Sequence, residues 1–383
     1  MTDSFFLFDE HERSAVESLR SFLDAEIEPK LRRIGEQPFE RDELHRHFAR
    51  LAEFGLLTAP VPETYGGLGQ SWRLHLRLFE ELVYTSVDLA IPVAINTVTA
   101  SVLMTLASDE LVARYLPGLL SGASSGCFGI SEPDVGSDVS SVRTKAVRDG
   151  DDWIISGEKT WITNGGFSDF FICTCRTGEK ALTHILIDRK EHGYIVREIE
   201  KIALNSQSTA QIFLDEVRVP VRNTVGEIGS GLRNTMSIFE RARIHMAAWG
   251  YGLARRALDE SIRYANQRVQ HGKPIARHQL IADKLAIMAT RIDAARLLAL
   301  RAASMIDAGV RCDAECAMAK WYGTEIAVDA TRQAVQIHGG NGVTRDFIVE
   351  RLAREAIISP IPDGTTEIQK LLIARSLTGQ SAF

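Results

Sequence analysis

Five short runs bring together residue types that can hold a ligand or move a proton. Phe128-Gly-Ile-Ser-Glu-Pro-Asp-Val-Gly-Ser-Asp138 sets two hydroxyls, Ser131 and Ser137, beside backbone freed by Gly129 and Gly136. Such a loop can bring N–H and O–H donors close to a flat heterocycle or a phosphate, although a solvated loop is the competing interpretation. Trp161-Ile-Thr-Asn-Gly165 sets an aromatic plane near the Thr163 hydroxyl at a strand end, where the plane can pack while the hydroxyl meets a ring nitrogen. By itself a buried Trp is more often core. Arg268-Val-Gln-His-Gly-Lys-Pro-Ile-Ala-Arg-His-Gln279 is a helix–turn–helix junction, and Arg268 can pair with a phosphate. In Gln336-Ile-His-Gly-Gly-Asn-Gly342 the glycines permit close backbone approach. Pro362-Asp-Gly-Thr-Thr-Glu-Ile-Gln369 carries a carboxylate, Asp363, on a loop directly before a helix. Singly, each run is weak.

The elements that must position these runs fall into three zones. From about Asp9 to Gly122 the apolar residues repeat at three and four, as in Leu19, Phe22, Leu23 and Ile27, and again in Leu44, Phe48, Leu51 and Phe54. Pro60, Pro62, Gly66, Gly67 and Gly69 interrupt this helical zone with a loop. From about Ser124 to Gly229, short apolar runs such as Trp153-Ile-Ile155 and His184-Ile-Leu-Ile187 alternate with Gly, Asp and Asn, which predicts strands at short intervals. From Gly231 the chain is helical again, with long segments expected over Thr235–Gln267, Gln279–Ala308, Asp313–Gln336 and Thr366–Leu377. Helix, then strand, then helix argues for segregated layers, an α+β multidomain chain divided at 1–123, 124–230 and 231–383. No G-x-G-x-x-G follows a strand and no Walker A sequence occurs, so a bound nucleotide must be held by something other than a Rossmann turn.

Composition narrows the function classes. At 383 residues, with 45% hydrophobic and 25% charged residues, the chain has room for two or three domains of ordinary globular character. A formal net charge of −6 gives no electrostatic footprint for nucleic acid. Met1 to Glu10 is mixed aromatic and acidic, neither a signal nor an Arg-rich transit peptide. Leu89 to Ala107 is free of charges and long enough to span a bilayer, but Pro92, Asn96, Thr97, Thr99, Ser101 and Thr105 make it a buried helix lining a cavity. The five cysteines lack disulfide-framework or zinc-site spacing and are expected to be reduced core residues of a cytoplasmic protein, with no metal bound.

Together, and in this order, the five runs strongly resemble the acyl-CoA dehydrogenase family. Pro62-Glu-Thr-Tyr-Gly-Gly-Leu-Gly69, Tyr115-Leu-Pro-Gly-Leu119, the glycines of Asn223 to Gly231 and Val349-Glu-Arg351 extend the resemblance over nearly the whole chain. It implies an N-terminal helical domain, a middle β-barrel and a C-terminal four-helix bundle, with FAD extended between barrel and bundle. By that match Phe128, Ile130, Ser131, Trp161 and Thr163 surround the isoalloxazine, with Gly136 and Ser137 nearby. Arg268 and Gln279 hold the diphosphate and adenosine half, and Gln336, Gly339 and Gly340 reach the FAD of a neighbouring subunit. Thr365 and Glu367 complete the cradle, while Ser137, Arg243 and Gly364 contact substrate. The implied chemistry is α,β-dehydrogenation of an acyl thioester, carried on CoA or on an acyl-carrier protein. The implied assembly is a homotetramer or homodimer, and the implied electron acceptor is one such as an electron-transfer flavoprotein. No membrane or nucleic acid enters.

Two departures matter. The family's usual base is a Glu just before Gly-Thr, and here that residue is Asp363. Some members carry the base on the first bundle helix instead. Counted from Met236 and Gly250, that position falls on Ala242, which leaves Glu240 a surface or structural carboxylate and Asp363 the expected base. Asp is shorter by one carbon–carbon bond, about 1.5 Å, and a misplacement on the order of 1 Å can cost about a hundredfold in rate. Straight-chain acyl groups are therefore not the default; cyclic or branched ones are open. In relatives that handle dicarboxylic acyl groups the stretch similar to Ser86–Ile95 supplies an Arg; none stands here, so the resemblance implies an uncharged acyl group. His271, in place of the usual aromatic, is expected to pack. The alternatives are a flavin oxidase or monooxygenase on the same fold, or a non-enzymatic flavin-bound interaction protein; the latter needs a basic surface or an added domain, and neither is evident before the chain ends at Phe383.

Overall fold

The computed structural model describes residues 8–381, apart from the Ser237 side chain, so most of the Met1–Glu10 segment lies outside the described residues. Polar residues begin the helices of the first layer. Asp9 and Glu12 form a reciprocal capping box at the start of α1 (Glu10–Phe22). A π-helical turn, Leu23–Ile27, carries the chain into α2 (Glu28–Ile34), followed by α3 (Arg41–Glu53). The hydroxyls of Ser71, Ser86 and Ser108 accept backbone N–H bonds at the starts of α4 (Trp72–Thr85), α5 (Val87–Leu106) and α6 (Asp109–Ser121). α5 carries nearly all of the charge-free stretch Leu89–Ala107 foreseen as a buried helix, and 78% of its most apolar window is covered by the rest of the fold. Its internal Pro92 cannot donate, but the Pro92 carbonyl accepts a bond from Asn164 Nδ2 at 3.1 Å, which ties the helix to the middle layer.

The middle layer holds β1 (Gly126–Gly129), β2 (Lys145–Asp149), β3 (Asp152–Thr163), β4 (Phe170–Arg176), β5 (Leu182–Asp188), β6 (Ile195–Glu198), β7 (Thr209–Pro220) and β8 (Thr224–Val225). Their hydrogen-bonded order is β6-β7-β3-β2-β4-β5-β8, with β1 parallel to β4. Trp153, Ile155, Phe171, Cys173, Ile185, Ile212 and Val219 fill one core within this sheet. The path ends on β6 and β8, so the expected barrel is an open one. All five cysteines are free and buried.

The third layer is α7 (Gly231–Gln267), a short hairpin of β9 (Val269–Gln270) and β10 (Lys273–Pro274), then α8 (Gln279–Asp307), α9 (Asp313–His338), α10 (Val349–Ile358) and α11 (Thr366–Thr378). α10 was not foreseen as a helix. The largest apolar core joins the first layer to this bundle, through residues such as Phe79, Leu82, Trp249, Tyr251, Leu253 and Ala302. Two smaller clusters meet where α7 crosses the barrel mouth. Phe128 and Phe239 pack against both clusters, Ile238 and Ala242 belong to one, and Ile130, Val135 and Leu182 belong to the other.

Candidate active site

Asp363 sits on the turn between α10 and α11 with φ 55°, followed by Gly364 at φ 91°. Left-handed backbone is routine for Gly and less so for Asp, costing roughly 1–3 kcal/mol for a non-Gly residue, and it persists where the surroundings impose it. They do so here. From α9, Lys320 Nζ donates to the carbonyls of Pro360 at 2.6 Å and Gly364 at 2.8 Å. From α11, Gln369 Nε2 donates to the carbonyls of Asp363 at 3.1 Å and Gly364 at 2.8 Å. Asp363 is half-buried as a residue, yet burial of its carboxyl pushes its pKa above the usual value, against the pull of Lys320 and Arg243.

Arg243 comes from α7 and is 4% exposed. Its Nε has no hydrogen-bond partner, and its ring neighbour is Phe239, with the guanidinium carbon 5.7 Å from the centroid. Burial lowers its pKa, opposed by Cys316, Asp363, Asp313 and Glu240. An unsatisfied guanidinium among carboxylates and apolar walls is a ready partner for a polar ligand group. Ala242, at the alternative base position, is buried against Val98, Leu103 and Ile238 and lines an apolar wall. Of the two readings open for Glu240, surface or structural, the structure favours the structural one. It is half-buried, and burial together with the neighbouring Asp313 carboxyl pushes its pKa up to about 7.

The first two sequence runs converge at the barrel mouth. Thr160 N–H donates to the Ser131 carbonyl at 3.0 Å, and an irregularity between β3 and β7 spans Lys159 to Ile162. Trp161 sits in that irregularity at φ 60° and is 62% exposed, so it is not the core residue that a lone Trp usually is. Behind the loop the fully buried Lys159 donates to Glu132 at 2.8 Å and to the Ile130 carbonyl at 3.0 Å, while Glu132 accepts from the N–H groups of Arg143 and Thr144. This buried pair shapes the loop and passed unremarked in the sequence, where a Lys in a strand looks like a solvent-facing residue. Phe128, Ser131 and Thr163 are half-buried, Ile130 is buried, and Gly136 and Ser137 are exposed.

The third and fourth runs converge elsewhere, at the far end of the bundle. Tyr264 of α7 stacks on His338 of α9 with centroids 4.2 Å apart and accepts a bond from Asn341 at 3.0 Å. Arg268, Gln279, Gln336, Gly339 and Gly340 are all exposed there. Among the described residues the Arg268 guanidinium has no acidic partner. His271, expected to pack, is exposed on the β9–β10 turn at φ 50°. Thr365 precedes α11 half-buried, and Glu367 is exposed in its first turn.

The chain matches three family models in succession: the acyl-CoA dehydrogenase N-terminal domain over residues 9–123, the middle domain over 127–217 and the C-terminal domain over 229–378. It is 35% identical over 370 residues to an acyl-CoA dehydrogenase of Bacillus subtilis, covering 94% of this chain and 96% of that protein. It is 32% identical over 376 residues to cyclohexane-1-carbonyl-CoA dehydrogenase of Syntrophus aciditrophicus, covering 97% of each. A crystal structure of a glutaryl-CoA dehydrogenase from Mycobacterium smegmatis in complex with FADH2 superposes with TM-score 0.93 at 28% identity, over all of this chain and 98% of the other. With all three domain models in order over this fold, the chain belongs to the acyl-CoA dehydrogenase family and is an FAD-dependent oxidoreductase.

Proposed function

We propose that this protein dehydrogenates an uncharged, cyclic or branched acyl thioester between its α and β carbons, with Asp363 as the base. The observation that carries this is the desolvated Asp363 carboxyl, held in a left-handed turn between Arg243 and Lys320. Its raised pKa makes it a stronger base than a solvated aspartate, while the two cations keep the ionised form accessible.

The residues present fit FAD. The barrel-mouth loop offers Ser131 and Thr163 hydroxyls beside apolar Phe128 and Ile130, and an added Cβ on Gly136 would meet nothing within 4 Å. Trp161 presents an open aromatic face, while Arg268, at the far end of the bundle beside Gln336, Gly339 and Gly340 and without an acidic partner among the described residues, would meet the diphosphate of a neighbouring subunit's FAD. When bound, the flavin supplies the acceptor for the β-hydride. Asp363 takes the α-proton. The Gly364 N–H, which donates to no backbone carbonyl among the described residues, is suited to the thioester oxygen as enolate charge develops. Phe128, Ile130, Ile238 and Ala242 exclude water.

Exposure of Gln336, Gly339 and Gly340 far from the barrel-mouth loop supports their role at a neighbouring subunit's FAD, and light scattering should report a dimer or tetramer. The exposed Trp161 suits electron exit to an acceptor such as an electron-transfer flavoprotein. Domain limits of 1–123, 124–230 and 231–383 are part of the same proposal. Anaerobic bleaching of the flavin by straight, branched and cyclic acyl-CoAs, and by the same acyl groups on carrier protein, tests the substrate. Cyclic or branched groups should bleach fastest and glutaryl-CoA should not. Efficient turnover of glutaryl-CoA, or a colourless protein that cannot be reconstituted with FAD, would sink the proposal.

A further inference from the structure

We propose that Lys320 is a positioning residue for the base: its ammonium staples the two ends of the Pro360–Gly364 turn and aims the Asp363 carboxyl. This rests on Asp363 being the base.

Two buried lysines in this protein can be compared. Lys159 is used as buried lysines ordinarily are, against a carboxylate, Glu132, at 2.8 Å. Lys320 is equally buried, 0% exposed, but forms no ion pair with any described residue; its two hydrogen bonds both go to main-chain carbonyls, at 2.6 and 2.8 Å. Those carbonyls belong to Pro360 and Gly364, three residues before Asp363 and one after it. A desolvated cation placed on neutral acceptors is costly, and burial lowers the Lys320 pKa to about 8. Nothing in the packing of α9 demands a cation there: its neighbours Ala317 and Ala319 are small and fully buried. The arrangement makes sense if the turn itself needs the donor. Asp363 and Gly364 are consecutive left-handed residues, and the clamp is tight enough that a Cβ on Gly364 would meet Gln369 Nε2 at 2.8 Å. A base one methylene short has no spare reach, so its backbone must be held in register.

The charged groups facing Lys320 are Asp363 and Glu367 from the turn and α11, Arg243 from α7, and Glu325 from α9 itself, whose carboxylate is engaged by the Thr366 hydroxyl at 2.6 Å. Those facing Asp363 are Lys320 and Arg243. Removing the Lys320 charge therefore disfavours the Asp363 carboxylate, and the acid limb of the reaction should move to higher pH. Removing only the second clamp, Gln369, should loosen the turn without moving that limb.

The test is anaerobic flavin reduction by a substrate that bleaches the wild-type holoenzyme, followed by stopped flow across pH, with FAD content recorded. Lys320→Gln is expected to hold FAD, to slow reduction by roughly a hundredfold, and to shift the acid limb toward higher pH. Gln369→Leu should slow reduction by about tenfold with the limb unmoved, as expected for a smaller loss of register. A wild-type rate and limb in Lys320→Gln overturn the proposal. If Lys320→Gln loses its FAD, Gln369→Leu decides, and an unchanged rate there overturns it. Asp363→Asn separates the two failures: if it still reduces its flavin, the base assignment is wrong. If Asp363→Asn is dead while Lys320→Gln behaves as wild type, only the role of Lys320 is wrong.

Discussion

Two buried charge clusters lie along α7, and they are built to opposite rules. Where α4 and α8 meet α7, Glu80 and Glu81 are enclosed by guanidinium groups. Arg255 donates to Glu80 and to both oxygens of Glu81 at 2.8–2.9 Å, Arg296 donates to Glu80 at 2.7 Å, and Arg77 contacts Glu81. Burial works to raise the Glu80 pKa, but Arg296, Arg77 and Arg255 outweigh it and hold it down to about 2. Further back along the same helix, Arg243, Asp363, Glu240 and Asp313 form a second cluster that is left open. Among the described residues no ion pair joins Arg243 to a carboxylate, Arg243 Nε is unsatisfied, and the Asp363 pKa moves up, not down. The closed cluster fixes the first helical layer onto the bundle. The open one leaves a desolvated carboxyl and a guanidinium Nε without a partner, as the proposed base and substrate contact require. Burial alone does not separate them; the number of opposite charges brought into contact does.

The largest effect should come from disabling the open cluster. Asp363→Asn is expected to keep FAD and thermal stability while slowing flavin reduction by roughly 10² to 10⁴-fold, the usual cost of losing a general base. Single-turnover reduction measures it, and a normal rate would put the proton transfer elsewhere. Breaking the closed cluster should do the reverse. Arg255→Leu takes one guanidinium from the buried Glu81, which keeps Arg20 and Arg77, and should destabilise the protein by about 1.5–3 kcal/mol in chemical denaturation, with the folded fraction still reducing at near wild-type rate. A loss below about 1 kcal/mol would place the pair in the class of surface ion pairs.

Beside the closed cluster, a buried histidine pair gives the joint a different response to acid. His245 Nδ1 donates to the Arg241 carbonyl, so its Nε2 accepts from His75 Nε2–H at 2.8 Å. Burial depresses His245 to about 4 and pushes His75 well below its usual range. A His pKa lower in the folded protein than its unfolded value near 6.5 means that the unfolded chain binds the extra proton. Stability is then full above about pH 6.5 and declines toward pH 4, by about 2 kcal/mol for His245 alone at pH 5. Glu80 stays ionised over this range, so Arg255→Leu should lower the denaturation curve without changing its pH slope between 6.5 and 5. His245→Asn should remove its share of that slope, and an unchanged slope in the variant would mean that the pair is solvated or charged. The smallest effect belongs to Glu240→Gln, which should leave flavin reduction within a few-fold of wild type, since its partner Asp313 can hold the remaining proton interactions. A hundredfold loss would make Glu240 part of the machinery.

Much of the architecture is legible in local pattern. The repeats at three and four locate the long helices of the bundle to within four residues at either end, because each helix buries a continuous apolar stripe in a large core. The short apolar runs locate the β layer for the same reason. α10 has a clear apolar face, but at ten residues it offers only Val349, Leu352 and Ala356 along it, fewer positions than the long helices repeat. Among the site residues, Phe128, Ile130, Ser131 and Thr163 stand out by their clustered types, and Asp363 by its place before Gly-Thr. Lys320 could have been suspected, since a single lysine within Ala317-Met-Ala-Lys320 breaks an otherwise apolar helix face. The Glu240–Asp313 pairing and the buried role of Glu132 with Lys159 carry no such mark.

The sequence by itself determined the helix–sheet–helix order, the loops with freed backbone and the presence of one short-armed acid before a helix. Those are set by side-chain periodicity and turn chemistry, which act over a few residues. Only the tertiary structure decided which of two similar carboxylates on neighbouring elements is desolvated between cations and which lies beside another acid. It also decided which arginines are neutralised and which is left unpaired. A pKa depends on charges a few ångströms away in space, and the lysine, arginine and glutamine that surround Asp363 come from three helices whose meeting no local pattern specifies.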